Sequence, residues 1–501
     1  MSSTFHFPAS GKWYWEYTIT GGTANQAFPG IATQPYSSSS RLFYYSSSGD
    51  IFENTVGGVS YGDSYTTGDV IGVAANVDDG EVTFYKNDSS QGVKSYTYFD
   101  SMTPHFRDGG DTVTMVVNFG QDSSFAGNET AQGNQDDNDV GDFYYDVPAG
   151  YLALCTDNLS DPEIALPEDY FNTVLYDGGD ITGSVAVTGV GFQPDFVWLK
   201  TRVAAYYPQV FNSVLGAAGG AMYPALTNAE DGTYPIASFD SDGFSTGPQA
   251  GNTGQNADSM VSWNWKAGTT FDPKTDGDIA VASGSKNATA GFSIVKYTGE
   301  SGTPTVGHGL GVAPDMIIIK NLDDTKDWNV VAPDIIGTTN RLVLNTNAAP
   351  AVGSGLVSPY INSTIFNLDD GTTRTNDGSS EYIAYCFASI EGYSKVGTFT
   401  TNASVSPTNN LGSFQYCGFK PALFMLKGID NTSGWMMWYN AANTYNLVDD
   451  FLVANTNAAE VDGGASGWGF LSNGFKQWEG FNGTWIYYAV AENPFKYSNA
   501  R

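Results

Sequence analysis

The chain has 501 residues, enough for roughly three to five domains, and its 21 Lys plus Arg against 53 Asp plus Glu give a formal net charge of −32. This charge excludes nucleic acid and anionic membranes as expected partners, because both require clustered cations. Glycine is abundant, at 59 residues, and charged residues make up only 15%, which together with many short aromatic and β-branched runs predicts an all-β chain.

The three cysteines, Cys155, Cys386 and Cys417, are odd in number and lack CxxC spacing. Neither a disulfide framework nor a thiolate zinc site is therefore expected. The first residues show no charged segment followed by an apolar one, and no stretch approaches the apolar length of a membrane span. These features predict folding in a cytoplasm, without a secretion signal and without membrane insertion.

Apolar strand phrases occupy the first 120 residues. Residues 11–19 read Gly-Lys-Trp-Tyr-Trp-Glu-Tyr-Thr-Ile, an alternation typical of a strand. Residues 68–87 contain two apolar runs joined at an Asp-Gly pair, which supplies the positive φ that a tight hairpin needs. Strands at 104–106 and 116–120 complete a predicted β domain.

These phrases resemble the SPRY (B30.2) family, whose pattern runs through a Gly-x-x-Tyr-Trp-Glu strand, a Gly-Asp-x-Ile-Gly-Val strand and a Phe-Tyr-x-Asn-Gly strand. The resemblance covers about residues 7–120, and it departs from the family at Asn87-Asp88, where the family has Asn-Gly. It implies a bent sandwich of two antiparallel sheets. It also implies a recognition module rather than an enzyme, with loops at one rim that contact a partner.

Residues 143–159 are similar to the segment that follows SPRY-like domains in bacteriophage structural proteins, where a Pro-x-Gly-aromatic turn leads to Ala-Leu-Cys-Thr-x-Asn-Leu. The rest of the chain resembles tail or virion proteins of tailed phages. An acidic, polar insertion at 126–142 has little to bury and is predicted to be a mobile surface loop. We assign residues 1–160 to one SPRY-like β-sandwich that includes this insertion.

A ten-residue phrase then recurs three times, with Gly first, Pro three residues later and Lys nine residues later. Gly permits a tight turn, Pro fixes φ before a strand, and the apolar run that follows predicts a central strand buried on both faces. Lys at its end is expected to lay its aliphatic stem on the apolar surface and keep the ammonium in water. The repeated positions are Gly191, Pro194, Lys200, Gly311, Pro314, Lys320, Gly418, Pro421 and Lys427.

Other landmarks repeat with this phrase. A Thr-Asn-Ala triplet follows it at 227–229, 346–348 and 456–458, and each copy closes on an aromatic-rich stretch. A period of roughly 100 residues is long enough for each copy to bury its own core. The sequence therefore predicts three tandem, homologous β-sandwich-like domains at 171–270, 290–392 and 393–496.

No catalytic residue is assigned. The three histidines, His6, His105 and His308, stand in unrelated contexts, and no Gly-x-Ser-x-Gly turn accompanies them. Many carboxylates lie in turns such as those at 240–242 and 369–370, where Asp caps its own backbone. No cofactor is expected; calcium at these Asp-rich turns is the alternative, although the twelve-residue loop that ends in Glu is missing.

Aromatic loop residues are the candidate ligand-binding positions, because sugars stack their apolar faces on Trp or Tyr. The residues are Tyr36, Tyr44, Tyr45, Trp435 and Trp438. The alternative is structural: the tyrosines pair across strands, and residues 435–439 alternate like a half-buried strand.

We interpret the chain as a non-enzymatic structural virion protein of a tailed bacteriophage, namely a tail fibre, tail-tip or surface decoration protein. Expected partners are other virion proteins, further copies of the chain in a homo-oligomer such as a trimer, and a host surface glycan or protein. The expected location is the tail or particle surface, after synthesis in the host cytoplasm. The alternatives are a host-glycan-binding adhesin whose weak sites add by avidity, and a polysaccharide depolymerase that uses paired carboxylates.

Overall fold

In the computed structural model of the protein, the described residues are 5–8, 10–22, 26–37, 40–96, 102–110, 113–179, 183–217, 219–232, 236–247, 258–401, 412–443, 445–464, 467–478 and 481–498, without the side chains of residues 34–37 and 359. The predicted all-β class is confirmed, since nearly all regular structure in these ranges is antiparallel strand. None of the helices in these ranges has the length and apolar character needed to cross a membrane.

The chain divides into two compact units. The N-terminal unit comprises residues 1–161, 410–416 and 495–500, and the repeat unit comprises residues 162–409 and 417–494.

The N-terminal unit is built from two largely antiparallel β-sheets, one of five strands and one of six. One sheet has the order β5-β4-β3-β2-β9, and the other has the order β10-β1-β6-β7-β8 with β11 added in parallel to β1. The strands are β1 (Lys12–Gly22), β2 (Ala27–Ser37), β3 (Ser40–Tyr44), β4 (Asp50–Glu53), β5 (Val59–Ser60), β6 (Val70–Asn76), β7 (Glu81–Lys86), β8 (Ser89–Ser95), β9 (Met102–Asp108), β10 (Val113–Asn118) and β11 (Leu152–Ala153).

A single apolar core lies between these two sheets. Trp15 and Tyr17 of β1, Ile31 of β2, Leu42 of β3 and Phe84 of β7 are all buried in it. The predicted hairpin at 68–87 is present, because β6 and β7 pair in register across the turn that follows residue 76. This unit is the antiparallel SPRY-like sandwich that the sequence predicts.

The acidic stretch at 126–142 is built into the fold, so the prediction of a mobile loop with nothing to bury is wrong. The Asp136 carboxylate is buried and accepts hydrogen bonds from the backbone N–H groups of Asn138, Val140 and Ala153. Phe143, at the end of the stretch, is buried against Tyr14. A carboxylate that accepts several backbone N–H bonds organises a loop that has few apolar residues of its own.

The repeat unit contains strands β12 to β37, apart from β31, which belongs to the N-terminal unit. The first repeat has β12 (Phe171–Asp177), β13 (Ala186–Thr188), β14 (Phe196–Thr201), β15 (Gln209–Asn212), β16 (Ile236–Asp240), β17 (Gly243–Thr246) and β18 (Ser259–Trp265), followed by β19 (Thr269–Phe271). The second has β20 (Ala282–Asn287), β21 (Phe292–Thr298), β22 (Thr305–Gly307), β23 (Met316–Asn321), β24 (Asn329–Val331), β25 (Asn340–Val343), β26 (Ala351–Val352), β27 (Leu356–Ile361), β28 (Ile365–Leu368) and β29 (Glu381–Phe387).

The third repeat has β30 (Ser394–Thr401), β32 (Phe419–Gly428), β33 (Met436–Tyr439), β34 (Phe451–Val453), β35 (Trp468–Leu471), β36 (Gly474–Gln477) and β37 (Gly483–Pro494). Strand β31 (Phe414–Tyr416) of the N-terminal unit comes between β30 and β32 in the sequence. Helical turns are α1 (Pro333–Ile336) and the 3-10 segments Thr156–Asn158, Pro167–Asp169, Pro273–Thr275 and Phe495–Tyr497.

The three repeats share one strand order. Each large sheet places the first strand beside the last, then the strand of the repeated phrase, then the strand that follows it: β12-β18-β14-β15, β21-β29-β23-β24 and β30-β37-β32-β33. Small sheets or hairpins formed by β13-β17-β16, β22-β28-β27 and β36-β35 accompany them. A local apolar core lies within each repeat. The repetition read in the sequence is therefore a repetition of topology.

A further apolar core joins the three repeats. Its members alternate with those of the local cores along each central strand, so each large sheet is apolar on both faces. Its side chains include Phe196, Trp198, Trp265, Phe292, Met316, Ile318, Tyr385, Leu423, Met425 and Tyr488. Two polar contacts cross it, from Asn212 Nδ2 to Tyr385 Oη at 2.9 Å and from Trp265 Nε1 to Tyr488 Oη at 3.1 Å.

The repeats also contact one another in a closed cycle. One backbone hydrogen bond joins each pair: Glu230 N–H donates to Leu322 O, Ser433 N–H donates to Asn347 O, and Glu460 N–H donates to Arg202 O. Because all three pairs are joined and share a core, residues 162–409 and 417–494 form one compact unit. Each repeat thus buries a core of its own and a second apolar face that only its neighbours cover.

Candidate functional site

The glycines of the repeated phrase have the local role that the sequence predicts, and Pro194 and Pro314 precede their strands. Pro421 instead lies inside β32, where the register is irregular, so the prediction that Pro precedes the strand is wrong in the third copy. Gly191, Gly311 and Gly418 all adopt positive φ, at 84°, 77° and 84°. The three prolines that follow are buried, and β14, β23 and β32 are central strands whose residues are buried throughout. The phrase therefore marks the entry into the middle strand of each large sheet.

The prediction for the repeated lysines is wrong. Lys200, Lys320 and Lys427 are at most 1% exposed, so the ammonium groups do not reach water. Each ammonium instead donates to backbone carbonyls.

The acceptors identify the partner of the repeated lysine. Lys200 Nζ donates to Tyr206 O at 2.6 Å and to Asn457 O at 3.3 Å, and Lys427 Nζ donates to Gly428 O at 2.9 Å and to Asn347 O at 3.3 Å. Asn457 and Asn347 are the central residues of the Thr-Asn-Ala triplets of other repeats. Two phrases that recur in the sequence therefore meet across two of the junctions.

Lys320 has the same burial with local acceptors. Its Nζ donates to Asn321 O at 2.6 Å and to Asp324 O at 3.3 Å. Burial lowers the pKa of Lys200, Lys320 and Lys427 to about 8 in each case, because the charged form loses its hydration. Lys200 and Lys427 therefore connect repeats, whereas Lys320 stabilises the turn that follows its own strand.

Three of the predicted ligand-binding aromatics are buried, so their assignment to an exposed binding surface is wrong. Tyr44 lies in the N-terminal core, and its hydroxyl donates to Asp63 O. Trp435 lies in the core shared by the repeats, where Nε1 donates to Val343 O at 3.1 Å. Trp438 packs in the third local core against Phe424 and Trp468. Trp435 and Trp438 lie in different cores, because both faces of this segment are covered and not one face only, as the structural alternative supposed.

The other two predicted tyrosines are Tyr45 and Tyr36. Tyr45 is half-buried and stacks on Phe28 with ring centroids 4.3 Å apart. Tyr36 lies on β2, but its side chain is outside the described residues.

The Asp-rich turns are held by backbone contacts. The Asp242 carboxylate accepts from the N–H groups of Gly189 and Gly191, and Asp370 accepts from Gly302 N–H. These bonds lower the pKa of Asp242. Within the described ranges, no group of three or more His, Cys, Asp or Glu side chains is placed to hold a metal ion.

The three histidines have different surroundings. His308 is buried in its turn, where Nε2 contacts Asn362 O at 3.0 Å and Nδ1 accepts from Leu310 N–H, and burial lowers its pKa. Burial lowers the pKa of His105 to about 3. His6 stacks on Phe414 within the N-terminal unit, with centroids 3.4 Å apart. The predicted absence of disulfides agrees with the structure, in which Cys155, Cys386 and Cys417 are free thiols.

A polar pocket in the third repeat is the candidate functional site. It has a volume of about 240 Å³ and is lined by Lys420, Asn440, Ala441, Asn443, Tyr445, Asn446, Val448, Phe470 and Glu492. Lys420 of β32 and Glu492 of β37 form an ion pair of 2.5 Å inside it. The Lys420 side chain is only 7% exposed and that of Glu492 is 20% exposed, so the pocket contains a largely buried pair of opposite charges.

The opposite wall is a short loop that is held in place by its own amides. Asn446 exchanges two hydrogen bonds with the backbone of Phe470, at 2.8 and 2.9 Å. Asn443 donates to the carboxylates of Asp449 and Asp450 and accepts from both backbone N–H groups. Between these anchors Tyr445 is 76% exposed. The pocket therefore combines a buried ion pair with a solvent-facing aromatic ring.

Comparison with known proteins finds a family match for the repeat segment and a domain match for the N-terminal segment. Residues 166–494, about two thirds of the sequence, match the family described as Domain of unknown function (DUF7483). The chain belongs to the DUF7483 family. Residues 12–122 match the SPRY domain, so the SPRY resemblance of the N-terminal segment is confirmed. No curated protein matches the chain.

Two human crystal structures accompany the SPRY match. The SPRY domain of human HERC1 is 18% identical, covers 22% of this chain and 74% of that chain, and has a TM-score of 0.19. A further human SPRY domain is 18% identical, covers 21% of this chain and 75% of that chain, and has a TM-score of 0.18.

Sequence reasoning missed the pocket in the DUF7483 segment. One signal was available: Lys420 occupies the second position after Gly in the repeated phrase, where the other copies have Gln193 and Ala313. A charged residue at a position that is uncharged in the other repeats, and that lies next to a buried strand, indicates a partner charge. That partner, Glu492, lies 72 residues away in the sequence and is brought close only by the pairing of β32 with β37.

Proposed function

We propose that the chain is a non-enzymatic structural and adhesive component of a tailed bacteriophage particle: a tail fibre, tail-tip or surface decoration protein. The observation that carries the proposal is the use of the repeated residues. Lys200 and Lys427 connect repeats through the carbonyls of Asn457 and Asn347. A chain whose recurring residues fix three repeats against one another is suited to a rigid structural role.

The N-terminal SPRY domain adds a recognition module to this scaffold, and the net charge of −32 keeps a displayed protein from nonspecific association. In this role the expected partners are other virion proteins and further copies of the chain, with a symmetric homo-oligomer such as a trimer as the assembly to test. Sedimentation velocity of the purified chain measures that assembly.

The location is tested by imaging. An affinity-labelled version of the chain is introduced into a phage that encodes it, and purified particles are examined by electron microscopy with gold particles directed to the label. Gold at the tail or on the particle surface supports the proposal. Purified infectious particles that lack the chain, as measured by mass spectrometry, contradict it.

A second candidate function, recognition of a host glycan, is favoured by the pocket that contains Lys420, Glu492 and Tyr445.

A further inference from the structure

We propose that Arg341 and Arg374 of the second repeat bind a carboxylate group of an acidic ligand. Both residues contact the short edge strand β26 or the glycine that follows it. Arg341 of β25 pairs with Ala351 through the backbone, and Arg374 Nε donates to Gly353 O at 3.2 Å. The site goes beyond the structural role proposed above, which uses neither arginine.

Arg341 lacks the hydrogen bonds that a buried guanidinium requires. A guanidinium carries five N–H donors, and burial of a charge without partners is costly. Among the described residues, Nε and Nη1 of Arg341 are buried and have no hydrogen-bond partner. Nη2 lies 3.9 Å from Asp327 Oδ2, which is too long for a hydrogen bond. Arg202 shows the contrast, since its Nε donates to both carboxylate oxygens of Glu460.

The repeats show that folding does not require a charge at this position. Five positions before the Thr of its Thr-Asn-Ala triplet, the second repeat has Arg341, where the first and third repeats have Met222 and Phe451. Phe451 packs against the apolar core of its own repeat. A cation that replaces an apolar residue, with no carboxylate in hydrogen-bond reach among the described residues, indicates an anion from outside the chain.

Arg374 brings a second guanidinium to the same place. Its hydrogen bond within the described part of the chain uses Nε alone, so the Nη1 and Nη2 donors remain for a ligand. Gly353 permits the close approach, because an added Cβ there would lie 2.5 Å from Arg374 Nη2. Burial and the charge of Arg374 both lower the pKa of Arg341. An anion bound by both guanidinium groups offsets this repulsion.

The charge of the site favours a carboxylate. Arg341 and Arg374 carry two positive charges and Asp327 carries one negative charge, which leaves a net charge of +1. A carboxylate balances this charge, whereas a phosphate dianion exceeds it in a chain whose formal charge is −32. The guanidinium fork also matches the two carboxylate oxygens. Ala351 and Val352 of β26 are exposed, so a ligand reaches this edge from solvent.

Saturation-transfer NMR on the purified full-length chain tests the proposal. The probes are sodium acetate, which carries a carboxylate, and acetamide, a neutral molecule of nearly the same shape, each at millimolar concentration. A ligand of this size makes few contacts, so we expect a Kd on the order of 1 mM for acetate and no signal from acetamide. Formate should displace acetate, and inorganic phosphate at the same ionic strength should displace it less effectively.

Two variants locate the binding. Arg374→Gln removes one guanidinium and should weaken the acetate affinity about tenfold, because a hydrogen bond to a charged group is lost. Arg341→Met keeps the aliphatic stem and removes the buried donors, and we expect loss of the acetate signal. Arg107→Gln is the matched control, because Arg107 is a half-buried arginine of the N-terminal unit, and it should bind acetate like the parent chain.

The proposal is overturned if acetate gives no signal, if acetamide gives an equal one, or if Arg374→Gln and Arg107→Gln bind acetate equally well. Stronger displacement by phosphate than by formate overturns the assignment of a carboxylate. Should Arg341→Met fail to fold, the comparison of Arg374→Gln with Arg107→Gln still decides the result. Failure here leaves the structural role intact, since that role is tested by the location of the chain in the particle.

Discussion

The buried lysines make a defined prediction about the pH dependence of stability. Lys200 is the simplest case, because burial alone lowers its pKa to about 8 from an ordinary value of 10.5. The unfolded chain binds more protons than the folded chain between these two values. The free energy of unfolding therefore rises with pH in this window. The penalty of the buried charge is fully present below pH 8 and is relieved as the pH rises toward 10.5.

The magnitude follows from the two pKa values. Each pH unit in the window is worth about 1.4 kcal/mol, and the folded site titrates midway between pH 7 and pH 9. The contribution of Lys200 to the free energy of unfolding therefore rises by about 1.4 kcal/mol over that range. Lys320 and Lys427 have the same lowered pKa, so three independent sites together give about 4 kcal/mol.

Two buried thiols change the free energy of unfolding with pH in the opposite direction, and the measurement has to separate their contribution from that of the lysines. Burial raises the pKa of Cys386 and of Cys417 to about 12. The folded chain keeps these protons when unfolded thiols have lost theirs, so the associated stability is present below pH 9 and is lost progressively between pH 9 and about 12. Comparing a lysine variant with the parent chain at each pH cancels these contributions.

Urea denaturation of the full-length chain and of Lys200→Met at pH 7, 8 and 9 measures the effect. Met has a similar length but takes up no proton, so the variant should gain about 1.4 kcal/mol less than the parent between pH 7 and pH 9. Lys274→Met changes an exposed lysine and should behave as the parent does. If Lys200→Met and the parent show the same pH dependence within about 0.5 kcal/mol, the ammonium is hydrated and the burial argument fails.

Three further substitutions test the fold. Trp435→Ala should lower the free energy of unfolding by about 4 kcal/mol, because it opens a cavity in the shared core and removes the donor to Val343 O. The control Tyr445→Ala should change the free energy of unfolding by less than about 0.5 kcal/mol. Equal urea midpoints for the two variants would contradict the burial of Trp435. Glu16→Ala should lower the free energy of unfolding by about 3 kcal/mol and make the segment after residue 120 sensitive to protease, because the Glu16 carboxylate accepts from the N–H groups of residues 144 and 145. An unchanged proteolysis pattern would contradict this role of Glu16. Gly311→Ala should cost about 1 kcal/mol through its φ of 77° alone, because an added Cβ meets nothing within 4 Å; an unchanged thermal midpoint in calorimetry would refute the strain.

Glycine and proline positions were predictable because their effects are local. Gly191 has positive φ in the structure because a turn precedes the strand, and a residue without Cβ adopts that conformation at little cost. The SPRY phrases were readable for the same reason, since alternation along β1 and the Asp-Gly hairpin between β6 and β7 depend on neighbours in the sequence.

The aromatic residues show where local reasoning fails. Residues 435–439 alternate, so the sequence predicts a strand, but it contains no information on how many sheets cover that strand. Trp435 faces the core shared by three repeats, and Trp438 faces the local core. An exposed face and a face covered by another repeat have the same local pattern, and this ambiguity decided the outcome for Trp435.

The sequence by itself determined the all-β class, the SPRY-like segment and the threefold recurrence of a Gly-Pro-strand phrase, because turns and strand alternation depend on residues a few positions apart. Only the tertiary structure decided that the repeats close into one unit, that Lys200 and Lys427 bind carbonyls of neighbouring repeats, and that Lys420 meets Glu492. Those contacts join residues that are between 72 and 257 positions apart, and at such separations the pairing is fixed by the packing of whole sheets.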